Sequence, residues 1–386
     1  MYKNSYVLGE IVPFVITSLD PWGKGVCLKE GYPVLFVEKA LPEEEGMAII
    51  VEVKSKVCFA LISSLTRASP LRNSDSEKLC ESYQNCFGCV YRHVSYEQEI
   101  FFKKKSLESH FRNLISVEKI EFIGGQKREF YRNRVTLHYD REKNILGYKD
   151  PYSFSLNPIK KCFLLTEKCH DFFKTWSKDW WQKAPQERGH VEFYEYEGKV
   201  GCSWDLPYVF GGFRQVNEEM NQKLKESLQQ IVEASCSISI LELFGGSGNL
   251  TSSLTRRNQQ KIVSIDKEIT VEALQKSNKN HSFISLDLFS KDALDLFCSL
   301  KKEEDYDCLI LDPPRSGLKH LKFWVKKIRP RVLIYISCNP MTLIRDLQEI
   351  SSLYELKRVV GFDFFPATAH METMTVLEIK EKNWII

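Results

Sequence analysis

The chain has 386 residues, 43% apolar and 27% charged, with a formal net charge of +3. Those values exclude a disordered or fibrous polymer, and they make any basic face a local feature. A chain this long exceeds one ordinary core, so roughly two or three domains are expected. No stretch is long and apolar enough to span a bilayer, which excludes a membrane helix. The start, MYKNSYVLGEIVPF, lacks the basic and apolar regions of an export signal, so a cytoplasmic protein is expected. In that setting twelve cysteines read as thiols or ligands rather than a disulfide framework.

Residues 1–63 read as all-β: GEIVPFVITSL, VCLKEGYPVLFVEKAL and GMAIIVEVKSKVCFALISSL, broken by Gly and Pro at intervals of about ten residues. The spacing predicts a small five-stranded barrel. Such a barrel suits either oligonucleotide binding or a structural role. Leu65–Lys78 is polar and aperiodic and reads as a linker.

Cys80, Cys86 and Cys89 then fall within ten residues, with Gly88 between the last two. Three thiols on one compact loop fit a zinc site or an iron–sulfur cluster completed by a distant fourth ligand. Cys162 and Cys169 are the nearest candidates, with His93 or His170 open for zinc.

Tyr96–Asn113 carries Ile100, Phe101, Leu107 and Phe111 at helical spacing, with Lys103, Lys104 and Lys105 expected on a solvated face. Phe130–Tyr139 alternates as a strand with Arg132 and Arg134 on one side, suited to phosphates or to carboxylates across a sheet. Asp140–Asp205 reads as mixed strands and loops around an aromatic helix at TWSKDWWQK. From Gly212 a helix is followed by strand–helix units: ISILELFGGSGNL, KIVSID, SFISLDLF, CLILDPPRSGL, VLIYISCNP and TVLEI. That alternation calls for a parallel sheet with helices on both faces.

The chemistry-bearing residues sit where these strands end. Gly245, Gly246 and Gly248 between a strand and a helix let backbone amides approach a ligand. Asp266 ends the next strand, where a carboxylate meets ribose hydroxyls. Asp287 ends the third, facing an adenine or capping a helix. Asp312-Pro313-Pro314-Arg315 places a carboxylate and a rigid turn over the pocket floor. Cys338 closes the apolar run LIYIS, either as a core thiol or as a nucleophile at the sheet's carboxyl rim.

Together Cys80, Cys86, Cys89 and Cys162 with FRQVNEEMNQK, LELFGGSGNLT, LDPPRSGL, IYISCNP and FFPATAHMETM resemble the bacterial RNA uracil-5-methyltransferases. Within that family the likeness is to the branch that carries a [4Fe-4S] cluster and modifies 23S ribosomal RNA. The resemblance runs over essentially the whole chain. It implies an α/β protein with three domains: a TRAM-like, OB-like small β-barrel (1–63), a central mixed α/β domain with the iron–sulfur cluster (64–205), and a Rossmann-like methyltransferase sheet (206–386). It further implies Cys338 as nucleophile and Glu372 as base, and S-adenosylmethionine held by Gln215, Phe244, Asn249, Asp266, Asp287 and Asp312. The cluster would be held by Cys80, Cys86, Cys89 and Cys162, and the protein is expected to act as a monomer on RNA. Where the family's donor loop carries F-C-G, this chain has Phe244-Gly245-Gly246.

These residue types suit the chemistry. Carbon 5 of uracil is a poor nucleophile until a thiolate adds to carbon 6; it then takes the methyl group, a base removes its proton, and the thiol leaves. The target base must be flipped out or already unpaired, with Phe213, Gln215 and Arg132 as candidate contacts. A cytosine-5-methyltransferase would carry a second cysteine near Asp312, and an adenine amino-methyltransferase an aromatic residue where Arg315 stands. A tRNA uridine methyltransferase, or a non-catalytic RNA-binding factor on the same fold, are the remaining alternatives.

Overall fold

The structure, a computed structural model, describes residues 4–75, 79–176, 178–206, 214–254, 260–301 and 305–380. The chain divides into two compact units, the first formed by Met1–Ser106, Gln126–Pro207 and Phe365–His370, the second by Leu107–Gly125, Tyr208–Phe364 and Met371–Ile386. The segments 1–63 and 64–205 therefore fall largely in one unit, and the C-terminal segment gives residues 365–370 to it. A small apolar core explains the grouping, because Leu41, Tyr91, Val94 and Ala369 pack together from all three segments.

The first unit opens with β1 (Ile11–Val15), β2 (Ser18–Leu19), β3 (Gly25–Cys27), β4 (Val34–Glu38), β5 (Glu45–Val53) and β6 (Val57–Arg67). They form one six-stranded sheet in the order β1-β5-β6-β4-β3-β2. Alternate residues point inward, as the two-residue strand period requires. Phe14, Leu35, Val37, Ile50, Cys58 and Ala60 form its core.

Helix α1 (Tyr96–Phe111) follows, then β7 (Ile120–Ile123), β8 (Arg134–Asp140), β9 (Ile145–Lys149), β10 (Leu156–Pro158), α2 (Glu167–Trp176), α3 (Trp180–Lys183), β11 (Arg188–Tyr196) and β12 (Lys199–Trp204). Strands β10-β9-β8-β11-β12 make an antiparallel five-stranded sheet. Phe173 and Trp176 of α2 stack edge-on against Phe193 of β11 at 5.1 and 4.7 Å between centroids. TWSKDWWQK is not one helix: Trp176 ends α2 and Trp180 begins α3.

Two expectations change here. Lys103 is buried rather than solvated, because its ammonium pairs with the buried Glu99 one helical turn away at 2.7 Å, whereas Phe101 is exposed. Strand β8 begins at Arg134, not Phe130, since Phe130 adopts φ +57° and Arg132 makes only an isolated bridge with Leu165. Arg134 pairs with Glu192 across the sheet at 3.6 Å, the carboxylate alternative.

The second unit is built on α4 (Glu218–Ala234), β13 (Ser239–Leu243), β14 (Lys261–Asp266), α5 (Val271–Lys276), β15 (His281–Ser285), α6 (Ala293–Leu300), β16 (Cys308–Leu311), α7 (Leu321–Ile328), β17 (Val332–Ser337), α8 (Pro340–Ile350), β18 (Tyr354–Phe362) and β19 (Glu372–Ile379). Its eight-stranded sheet runs β15-β14-β13-β16-β17-β19-β18-β7. The first five strands are parallel and β13 neighbours β16, which creates the switch point where α/β sheets bind ligands. TVLEI is not a further parallel strand: β19 runs antiparallel to both neighbours. No helix is assigned between β18 and β19, and a return without a crossover element must be antiparallel. Strand β7 closes the edge beside β18, and Leu107, Phe111, Ile115 and Ile120 enter this unit's core. Among the described residues no helix is long and apolar enough to cross a membrane.

Candidate active site

The sheet register brings the two proposed reactive groups together. Strand β17 pairs with β19 so that Ser337 lies opposite Thr373. Cys338 and Glu372 are the next residues beyond that pair, one on each chain segment, and the Glu372 carboxylate acts on the Cys338 thiol. Cys338 stops the strand because Asn339 turns the chain, accepting from the Met341 N–H at 3.1 Å, and Pro340 starts α8, where a missing N–H costs nothing. The thiol is half-buried at the helix start.

Asp312 follows β16 on the next strand and Arg315 lies on the adjoining turn. That turn is fastened to α8: Asn339 Nδ2 and Thr342 Oγ1 donate to the Arg315 carbonyl at 3.3 and 3.1 Å. The buried Asp346 accepts from Leu318 N–H and Tyr335 Oη at 2.8 and 2.6 Å. The turn bearing Arg315 and the strand end bearing Cys338 are thus held by one helix.

Charges in this pocket act on one another. Burial pushes the Cys338 thiol up to about 11, and the Glu372 carboxylate pushes in the same direction; Arg315 opposes both by its charge and a hydrogen bond to the thiol. Glu372 is itself buried and held well above the ordinary carboxyl range, first by burial and then by Asp312, against the pull of Arg315. Burial lifts Asp312 to about 7. Among the described residues, Arg315 is the cation that acts on both Cys338 and Glu372. Its role was not read from the sequence, where only its place in D-P-P-R was visible.

The glycine loop lies at the switch point. The Gly246 N–H donates to Asp266 Oδ2 at 2.9 Å, and the Glu268 N–H to Oδ1 at 3.2 Å. Gly245 sits close on its neighbours: a β-carbon there would lie 2.6 Å from Glu242 Oε2 and 2.9 Å from Ser264 Cβ, so these side chains would have to shift to admit one. Glu242, a carboxylate not singled out from the sequence, is buried beneath the loop. Thr251 Oγ1 donates to its Oε2 at 2.7 Å, Ser264 Oγ donates to the same oxygen, and burial raises the carboxyl to about 7.

Phe244 takes a left-handed φ of +62° and packs on Phe289 with 5.5 Å between centroids. Asn249 exchanges amide hydrogen bonds with the buried Asn221 of α4 at 2.9 and 3.2 Å. This explains the second asparagine of FRQVNEEMNQK. Asp287 accepts from the Phe289 N–H at 3.0 Å and pairs with Lys267 at 3.0 Å, so it caps a turn. Gln215 is buried in the same unit. Phe213 lies outside the described residues.

In the first unit, Cys80, Cys86 and Cys89 are half-buried and Cys162 buried. Among the described residues no three or more such side chains are arranged to hold a metal ion. The thiols nevertheless interact: burial raises Cys80, Cys86 and Cys89, and Cys162 raises each of them further. Arg92 lowers Cys80 and Cys89, and Lys39 lowers Cys80 and Cys86. Lys39, buried, also donates to the Cys86 carbonyl at 2.9 Å, which anchors the loop. Cys169 is fully buried in the core around α2, and His93 shares a 2.6 Å hydrogen bond with Tyr83.

Residues 206–380 match the family model described as tRNA (Uracil-5-)-methyltransferase. The 23S rRNA (uracil(1939)-C(5))-methyltransferase RlmD of Marinomonas sp. is 28% identical, over 97% of this chain and 96% of its own. That of Histophilus somni is 25% identical over 94% and 95%. Residues 206–380 thus match the RNA uracil-5-methyltransferase family, and nearly the whole chain is similar to ribosomal RNA members of it. The enzyme also shares its fold with the tRNA (uracil-54, C5)-methyltransferase of Pyrococcus abyssi, solved with S-adenosyl-L-homocysteine, at a TM-score of 0.70 and 20% identity over 95% of this chain and 100% of that one. The glycine loop, Asp312, Cys338 and Glu372 all lie within the residues that the family model matches.

Proposed function

We propose that the enzyme methylates carbon 5 of a uridine in 23S ribosomal RNA with S-adenosylmethionine, through a covalent adduct between Cys338 and carbon 6. The observation that supports this reading is that Cys338 and Glu372 lie directly beyond the last residue pair of β17 and β19, with Glu372, Arg315 and Asp312 all acting on the Cys338 thiol. The near-full-length RlmD relatives support ribosomal RNA over transfer RNA.

Each residue has a task in this scheme. The loop Phe244–Gly248, with Asp266 and Asp287, takes the adenosine end of the donor; Gln215, Asn249 and Asp312 take its amino acid end and the sulfonium side. Asp266 must exchange its bond to the Gly246 N–H for ribose hydroxyls or share it with them. The carboxylates around the pocket suit a cationic sulfonium. Cys338 becomes nucleophilic by losing its proton, and Arg315 is the group that favours the thiolate. Glu372 takes the carbon 5 proton, and its raised affinity for protons suits that work.

Cys80, Cys86, Cys89 and Cys162 would hold a [4Fe-4S] cluster. Four mutually interacting thiols with two cations beside them fit an anionic thiolate cluster in donor chemistry. When bound it would cross-link the Cys80–Cys89 loop to Cys162. The six-stranded sheet of residues 11–67 would serve as the TRAM-like RNA-binding module.

The reading is tested with 23S RNA transcripts and methyl-labelled donor, and with 5-fluorouridine RNA in parallel. Label in 5-methyluridine and a denaturant-stable protein–RNA adduct on the fluorinated RNA are expected; label on another base would overturn the reading. In Arg315→Gln the thiol loses its cation and its pKa rises further. Adduct formation near neutral pH should therefore slow about tenfold, and its rising limb should move to higher pH. An unmoved limb would exclude Arg315 from activating the thiol.

A further inference from the structure

Residues Phe365–His370 belong to the first unit, although the chain on either side belongs to the second. Three successive main-chain oxygens of this strap are met by donors there. Lys103 Nζ reaches Phe365 O at 3.1 Å and Tyr131 Oη reaches Pro366 O at 3.0 Å. The N–H groups of Val90 and Tyr91 both reach Ala367 O, at 2.7 and 3.0 Å. The Ala367 N–H in turn donates to Glu99 Oε1 at 2.6 Å.

Ala367 sits at φ +67°, a left-handed conformation that its β-carbon disfavours. Such a conformation persists only where the surroundings over-determine it, and here both flanking peptide groups are gripped. Glu99 is fully buried, with its charge matched by Lys103 at 2.7 Å and Arg128 at 2.9 Å. Arg128 also donates to the Val94 carbonyl at 2.7 Å. Glu99 therefore joins the strap and the Tyr91–Val94 segment in one hydrogen-bonded network.

A fully buried, twice-paired carboxylate is a demanding way to hold a loop, and the position of the loop suggests why it is held. Glu372 starts β19 two residues past His370. On the other flank, Asn217 Nδ2 holds the Phe364 carbonyl at 3.2 Å, so the strap has little slack at its entry. We propose that Glu99, Tyr131 and the N–H groups of Val90 and Tyr91 are positioning groups, which hold the strap so that Glu372 is presented to the carbon 5 proton. This rests on the reading of Glu372 as the base.

In the base step the C5–H bond breaks and its proton goes to the Glu372 carboxylate. The C–H electron pair forms the C5=C6 double bond, and the C6–S bond breaks with its pair returning to Cys338. A misplaced base therefore leaves the methylated adduct attached to the protein, which a general loss of fold would not do. Adduct formation on 5-fluorouridine RNA does not need the base and reports on folding, RNA binding and the thiol.

The experiment gives Glu99→Ala, Tyr131→Phe, Glu372→Gln and wild-type enzyme unsubstituted RNA and methyl-labelled donor. Labelled denaturant-stable adduct and labelled free RNA are then separated. Turnover should fall about tenfold in Glu99→Ala and about threefold in Tyr131→Phe, with labelled adduct rising as turnover falls. Adduct on fluorinated RNA should stay at the wild-type level. Lower turnover without labelled adduct, in a variant that still reacts with fluorinated RNA, would overturn the proposal, as would wild-type turnover in both variants. Should Glu99→Ala lose the fluorinated adduct as well, Tyr131→Phe decides by the same criteria. If wild-type enzyme transfers label and Glu372→Gln traps none, Glu372 is not the base and the proposal falls while the methyltransferase reading stands; no transfer by wild-type enzyme would overturn both.

Discussion

Cys338→Ala is expected to abolish methylation, lowering turnover by about 10⁴-fold or more, because the proposed mechanism offers no second route to an electron-rich carbon 5. The same substitution should eliminate the denaturant-stable adduct on 5-fluorouridine RNA. The thiol is half-buried at a strand end, where losing one sulfur disturbs little packing. Thermal or urea unfolding should therefore shift by no more than about 1 kcal/mol. The measurement is a paired assay of label transfer and gel-shifted adduct. Retention of either in the alanine variant would remove Cys338 from the chemistry.

Glu372→Gln should arrest the reaction one step later. Turnover should fall about 10³-fold, the range for loss of a positioned general base, while labelled methyl accumulates on protein-bound RNA. The pH dependence follows from the surroundings of Glu372. Burial and then Asp312 raise its pKa well above the usual carboxyl value, and Arg315 pulls it down. Only the ionised carboxylate accepts a proton, so release of the adduct should slow as pH falls through that raised value. Asp312→Asn removes a charge that raises Glu372 and should move this acidic limb to lower pH. Single-turnover rates measured from acid to neutral pH test both signs; a limb that moves upward would contradict the assignment.

The catalytic half was legible because its chemistry clusters at strand ends. The glycine loop, Asp266, Asp312 and Cys338 each close an apolar run, and the switch point between β13 and β16 follows from their order. What escaped was whatever depends on partners far apart in the chain. Lys103 looks like one of three surface lysines until Glu99 is found beside it and Phe365 beyond it. Arg315 gains meaning only when β16 and β17 lie side by side. The apolar run of β19 looks like those of its parallel neighbours and does not reveal its antiparallel direction, which depends on the connection. The mutual hold of Asn221 and Asn249 links a helix to a loop, and no local pattern announces it.

Strand β7 has a practical consequence. It hydrogen-bonds β18 at the rim of the large sheet, and Phe122 packs so closely on Gly361 that a β-carbon there would come within 2.5 Å of it. A fragment cut at the start of the region matched by the family model would leave that rim as a bare, ladder-ready edge, the kind that recruits other chains. The methyl-transferring half is therefore not a portable cassette. Grafting it onto another RNA-targeting module would require carrying residues 107–125 along, stitched in by a new linker.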